Sequence, residues 1–238
     1  MGVKRQRVAV TEGSKVSGFV GGVLRSLEGV VEVLDVDSIY VYPPLSSVSA
    51  VLGLFGLEEV TVFVWGSELS EFVEFELEEL GLTVVLKPLE GPVRGVPLRK
   101  VYGELPKIVL TLDSSILKAL ASRTSVDGVE YMVVYGLDGL AYMLEGDVHR
   151  VTIPGVDAVG LAHTHPEGAC GLSRADVRSS VYALTDLVLF EAAVTPTCAF
   201  YIARIGLLYE EDFALLLNKG DILEPLELRT VSAKAILL

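Results

Sequence analysis

The chain has 238 residues, 51% of them hydrophobic and 21% charged, and 19 Lys and Arg stand against 32 Asp and Glu for a formal net charge of −13. That balance excludes a disordered chain, and the length admits one large domain or two small ones. Acidic side chains lead in both halves, 14 to 9 over residues 1–100 and 18 to 10 over residues 101–238, which excludes nucleic acid as the main partner because a phosphate backbone requires a basic face.

Residues 8–10 read as a short strand, 14–27 as a helix, 30–42 as extended chain and 46–55 as a second helix. A Val-rich buried strand follows at 60–65. Ser67 can then cap a helix in which Leu69, Phe72, Val73, Leu77 and Leu80 share one face, with Glu68, Glu71, Glu74, Glu78 and Glu79 mostly on the other, until Gly81 ends it. Residues 82–86 form a strand. This alternation predicts a small α/β domain with a largely parallel sheet over residues 1–90. Gly18, Gly21 and Gly22, in GFVGG, lack both the GK[ST] of a phosphate loop and a full GxGxxG, so they read as close helix packing. Gly and Pro then crowd the stretch EGPVRGVPLRKVYGELPK, which marks a linker over 91–105. Beyond it, 107–112 reads as a strand, Ser114 or Ser115 caps a helix to about Ala121, and 130–135 and 157–162 read as strands. A helix at 177–187, strands at 188–193 and 199–205 and a helix at 210–217 complete a second domain over 106–238.

The most apolar stretches are broken by Glu58 and Glu59 and by Asp186 and Glu191, so no membrane span is expected. MGVKRQRVAV has no apolar core long enough for a signal peptide, and the expected compartment is the cytoplasm. Cys170 and Cys198 are too few for a disulfide framework and form no CxxC pair, which fits reduced thiols there. A single Asn (Asn218) and a single Gln (Gln6) point to a thermophilic source.

The chain has only three His, and two of them lie in LAHTHPEGACGLSRAD, residues 161–176. His163 and His165 sit two apart on an approaching strand, so they project from one face and can grip one metal. Pro166 stops the strand, a Gly-containing loop follows, and Ser173 starts a helix that can bring the Asp176 carboxylate over the His pair. Each piece alone has an ordinary reading: HxH as the polar face of a strand, Ser173 to Asp176 as a capping box. Together, two His and a carboxylate suit zinc and leave a fourth position open for water, as catalytic sites do.

The run resembles the JAMM, or MPN-plus, metalloprotease signature, in particular its proteasome-lid and signalosome branch. His163, Thr164, His165, Pro166, Cys170, Leu172, Ser173 and Asp176 carry the likeness. The resemblance implies a cytidine-deaminase-like α/β fold for roughly the second half of the chain, a mixed sheet with flanking helices. It implies one zinc per chain on His163, His165 and Asp176, with Ser173 helping to stabilise the tetrahedral intermediate. The family also needs a glutamate upstream as general base, and Glu130 in VEYMVVYG fits, with Glu145 and Glu167 as competitors; Val133 stands where many members have Gly. The branch does not use its Cys as a ligand, so Cys170 reads as packing beside the site rather than the fourth ligand of a closed His2CysAsp set. His149 reads as a surface residue and Cys198 as core.

Few residues separate Glu130 from His163, which leaves little room for a substrate-clamping insertion and is similar to compact archaeal and bacterial members. The implied activity is therefore that of a zinc-dependent isopeptidase or peptidase acting on conjugates of a ubiquitin-like or sulfur-carrier protein. The alternative is a non-catalytic MPN-type scaffold with a structural metal. Residues 1–90 carry no comparable motif and read as an accessory module.

Overall fold

A computed structural model describes residues 5–34, 38–42, 49–66, 69–92, 95–146, 156–166, 168, 170–186, 188–207 and 210–238. Its first strand, β1 (Arg5–Ala9), leads into helix α1 (Glu12–Leu34), then β2 (Ser38–Tyr42), α2 (Ala50–Leu54), β3 (Glu59–Trp65), β4 (Val73–Leu77), a 3-10 turn (Glu78–Leu80), β5 (Leu82–Pro88) and β6 (Val96–Pro97). Helices α3 (Leu98–Leu112) and α4 (Ser114–Asp127) follow, then β7 (Tyr131–Gly136), β8 (Ala141–Glu145), β9 (Ala158–Thr164), α5 (Arg174–Thr185), β10 (Phe190–Val194), β11 (Cys198–Arg204), α6 (Glu210–Lys219), β12 (Leu226–Glu227) and β13 (Val231–Leu237).

These elements form a mixed α/β structure with two sheets. One has eight strands in the order β1-β8-β7-β9-β10-β11-β13-β12, the other five in the order β4-β5-β3-β2-β6. Both are mixed. In the five-stranded sheet only β3 and β5 run parallel, so the largely parallel sheet expected for the first domain is corrected. In the eight-stranded sheet the parallel pair is β9 with β10.

The sheets also divide the chain differently from the expected 1–90 and 106–238. Residues 38–97 supply the whole five-stranded sheet, whereas β1 pairs antiparallel with β8, more than a hundred residues later. The start of α1 is tied to the later chain as well. Thr11 and Ser14 cap each other's backbone N–H, and the buried Asp113 accepts hydrogen bonds from Thr11 Oγ1 (2.6 Å) and Gly13 N (3.0 Å). Helices α1 and α3 lie between the sheets: Val20, Leu24 and Leu27 of α1 and Val101 and Leu105 of α3 share one core with Val60, Val62 and Val84 on one side and Val159 and Tyr201 on the other. Helices α5 and α6 cover the opposite face of the eight-stranded sheet through Val177, Val181 and Leu216 against Phe200 and Ile202. Close approach explains two of the α1 glycines. A Cβ on Gly18 would stand 2.7 Å from Gly139 N, and one on Gly21 would collide with the Val159 side chain.

Three local expectations are corrected. The helix expected after Ser67 is instead β4: Val73, Phe75 and Leu77 alternate with Glu74 and Glu76, and this period of two wins because β5 offers a partner edge. Ser67 itself lies outside the described residues. The expected linker contains β6 and the start of α3, and the strand expected at 107–112 is the end of that helix. Leu98, Val101, Tyr102, Leu105 and Val109 recur at helical spacing and are buried. Pro106 removes one intrahelical hydrogen bond, which typically costs about 3 kcal/mol, and burial of that face offsets it. Finally, α1 runs on to Leu34 through the start of the expected extended chain.

Candidate metal centre

Strand β9 delivers the two histidines. Met132 of β7 lies opposite His163, and Ala193 of β10 lies opposite it on the other side. His165 follows the strand, and its backbone N–H donates to Val194 O at 2.8 Å, so the ladder with β10 extends through it. Thr164, between them, points to the other face. Its Oγ1 accepts from Tyr131 N (2.8 Å) and lies 2.6 Å from Thr124 Oγ1 of α4. That anchor holds the backbone from behind, so both imidazoles emerge on the α5 side.

Asp176 comes from the first turn of α5. Ser173 is the N-cap: its Oγ accepts from Asp176 N, while Asp176 Oδ2 accepts from Ser173 N at 2.8 Å, a reciprocal capping box. The same interaction orients the carboxylate. Asp176 Oδ1 lies 3.2 Å from His163 Nε2 and Oδ2 lies 3.5 Å from His165 Nε2, while the two Nε2 atoms are 3.1 Å apart. Donors about 2.0–2.1 Å from a tetrahedral zinc are separated by about 3.3 Å, so the spacing fits one ion. These three residues form a group able to hold a metal ion.

Electrostatics point the same way. Burial works against a charge on His163, but hydrogen bonds to Asp176 and Glu191 outweigh it and its pKa is pushed up to about 10. Asp176, which burial would raise, is held well below the usual carboxylate range by hydrogen bonds with His163 and His165. Two imidazoles and a carboxylate that share a proton so tightly are a donor set that could hold a cation in that proton's place.

The loop between His165 and Asp176 is pinned at three points. Leu172 and Ile222 exchange backbone hydrogen bonds at 2.9 Å, Arg174 N donates to Asp221 Oδ1 at 2.7 Å, and Cys170 is joined to Cys198 at the start of β11 by a disulfide. The disulfide corrects the expectation of reduced thiols. It also takes Cys170 sulfur out of the donor set, so the closed His2CysAsp arrangement is not the one assembled.

Glu130 directly precedes β7. Continuing the β7–β9 register by two residues brings it level with His165, on the face shared by Met132 and His163. It is not among the three groups whose donor atoms converge. Glu145 pairs with Tyr131 and therefore projects to the opposite face from Met132, which removes it as a competitor. Glu167 and His149 lie outside the described residues. Sequence reasoning missed Glu191, 1% exposed on β10, with Oε1 3.4 Å from His163 Nδ1. A lone acid in the apolar run FEAAV was the signal. A cavity of about 770 Å³ lies elsewhere, between α1 and the turn after β4, and is lined by Phe19, Arg25 and Leu80. No helix among the described residues is long and apolar enough to cross a membrane. No protein-family model, curated protein or solved structure matches the chain.

Proposed function

We propose that the protein is a zinc-dependent isopeptidase of the JAMM type that hydrolyses the bond between a ubiquitin-like or sulfur-carrier protein and its conjugate. One observation carries the reading: His163, His165 and Asp176, the ligands implied by the motif, bring their donor atoms to 3.1, 3.2 and 3.5 Å from one another. Those three residues would hold the ion, and zinc with three protein ligands supplies an activated water near neutral pH and a Lewis acid for the carbonyl.

The rest of the chemistry belongs to the chain. Glu130, level with His165, receives the proton of the attacking water on its carboxylate and returns it to the departing amine. Ser173 accepts from Asp176 N through a lone pair, which leaves its hydroxyl proton to donate to the carbonyl oxygen as negative charge develops. Loss of one such donor costs on the order of 10²–10³ in rate. His165 and Asp176 keep side-chain exposures of 22% and 16%, so an extended protein tail linked to a lysine amine can reach them. The bonding of Cys170 to Cys198 supports an open catalytic centre over the structural-metal scaffold.

The test incubates the zinc-loaded protein with conjugates of the source organism's ubiquitin-like proteins, beside Glu130→Gln. The wild type is expected to cleave. The variant should keep its zinc and lose on the order of 10²–10⁴ in rate. Cleavage of no conjugate by the wild type, or full activity in Glu130→Gln, overturns the proposal.

A further inference from the structure

The peptidase reading uses Nε2 of His163 and gives no role to the other ring nitrogen. Nδ1 faces Glu191 Oε1 at 3.4 Å. Glu191 is out of keeping with its surroundings: Phe190, Ala192, Ala193 and Val194 of the same strand are all buried and apolar. Its second oxygen, Oε2, is buried with no hydrogen-bond partner among the described residues. A carboxylate held this way costs several kcal/mol in general unless it is paired, and the packing of β10 does not require one. The parallel register explains its reach. Glu191 stands opposite Leu161 and so on the same face as His163, one diagonal step from the ring.

We infer that Glu191 is the positioning residue of the metal centre: it accepts the Nδ1–H of His163 and so selects the tautomer whose Nε2 lone pair faces His165 and Asp176. A neutral imidazole carries one ring proton, and an acceptor beside Nδ1 keeps it there. Without that acceptor the Nε2–H form, which cannot ligate through Nε2, competes. The carboxylate also fixes the ring plane and raises the basicity of the ligating nitrogen. This inference rests on the metal-centre reading above, and it concerns binding rather than cleavage.

The test uses the full chain with two substitutions. Glu191→Leu keeps roughly the volume and removes the acceptor, while Glu191→Gln keeps an acceptor oxygen. Zinc affinity is measured by competition with a chromophoric chelator, and the His163 tautomer is read from ring ¹⁵N spectra. The Leu variant should bind zinc about 10–100-fold more weakly than wild type, the loss typical when an outer hydrogen-bond partner of a metal-bound His is removed, and the Gln variant should bind more tightly than the Leu variant. The zinc-loaded wild type should show the proton on Nδ1. Removing one partner of a buried charged pair is commonly destabilising, so the metal-free Leu variant should melt below wild type, and its zinc affinity is read at a temperature where its circular dichroism matches that of wild type. Should it fail to fold, the wild-type spectrum decides: a proton on Nε2 of zinc-loaded His163 overturns the inference. Equal zinc affinity in the Leu variant and wild type overturns the role of Glu191 alone. A wild-type chain that takes up no zinc overturns the metal-centre reading as well.

Discussion

The two sheets treat their polar groups in opposite ways. The eight-stranded sheet is covered on both faces by helices, and it buries His163, Thr164, Glu191 and Arg204. The five-stranded sheet turns Val60, Val62 and Val64 towards α1 and α3, but Tyr42 and Trp65 remain 40% and 52% exposed and Glu74 and Glu76 stay in water. Solvated carboxylates interact weakly and keep their freedom. Buried ones must be paired, and pairing fixes them. Donors placed closely enough to hold a metal therefore arise at the end of β9, where His163 is buried and His165 and Asp176 are mostly covered, and not on the open sheet, although that sheet is rich in glutamate.

Substitutions on the two sheets test that difference. The largest difference is expected from Asp176→Ala, which removes a donor and half of a capping box. Zinc affinity should fall by more than the roughly 10–100-fold typical of outer-shell losses, measured by chelator competition, and the cap loss should cost about 1 kcal/mol of stability. Glu74→Ala and Glu76→Ala should change neither, and an equal loss from them would break the contrast.

Next in size is the covalent tie. Cys170 and Cys198 are 28 residues apart, and a loop of that length is worth about 3–4 kcal/mol of stability in the chain-entropy account. Urea unfolding of a Cys170→Ser, Cys198→Ser double variant should show that loss. Unchanged stability would mean that the Leu172–Ile222 and Arg174–Asp221 bonds suffice to hold the loop.

The helix layer shared by the sheets is tested by two glycines of α1. Gly18→Ala presses a methyl onto Gly139 backbone and should cost about 1–3 kcal/mol. Gly29 has no atom within 4 Å of a built Cβ, so Gly29→Ala should stabilise by about 0.5–1 kcal/mol. Thermal melts of both variants separate crowding from propensity.

The smallest effect is on pH dependence. In metal-free protein the His163 pKa is raised from 6.5 to about 10, so the stabilisation it brings is complete below about pH 6.5 and is lost as pH rises towards 10. Asp176 is shifted down from 3.8, and its contribution is present above that value and lost as pH falls below it. The melting temperature of metal-free wild type should therefore decline between pH 6.5 and 10 more than that of His163→Ala. Parallel curves would contradict a proton shared by His163 and Asp176.

The candidate site was more legible in the sequence than the fold around it, for a physical reason. His163, His165, Ser173 and Asp176 lie within fourteen residues, so a strand end, a loop and a helix cap bring them together with little help from distant chain. The capping box and the candidate donor are one feature, because the bond that caps α5 also aims the Asp176 carboxylate. Elsewhere local pattern was ambiguous. Val73 to Leu77 satisfies both a helical stripe and strict alternation, and only the free edge of β5 decides between them. Gly103 and Pro106 disguised α3, whose burial between two sheets outweighs both. Pairing of β1 with β8, the Cys170–Cys198 bond and the approach of Glu191 to His163 depend on contacts between separate elements, which no local period encodes.

X-ray absorption at the zinc edge of the fully loaded chain reads the donor set itself. The spectrum should show one zinc per chain with two imidazole nitrogens, a carboxylate oxygen, one further oxygen ligand and no sulfur. A sulfur shell, a third imidazole or the absence of bound zinc would contradict it.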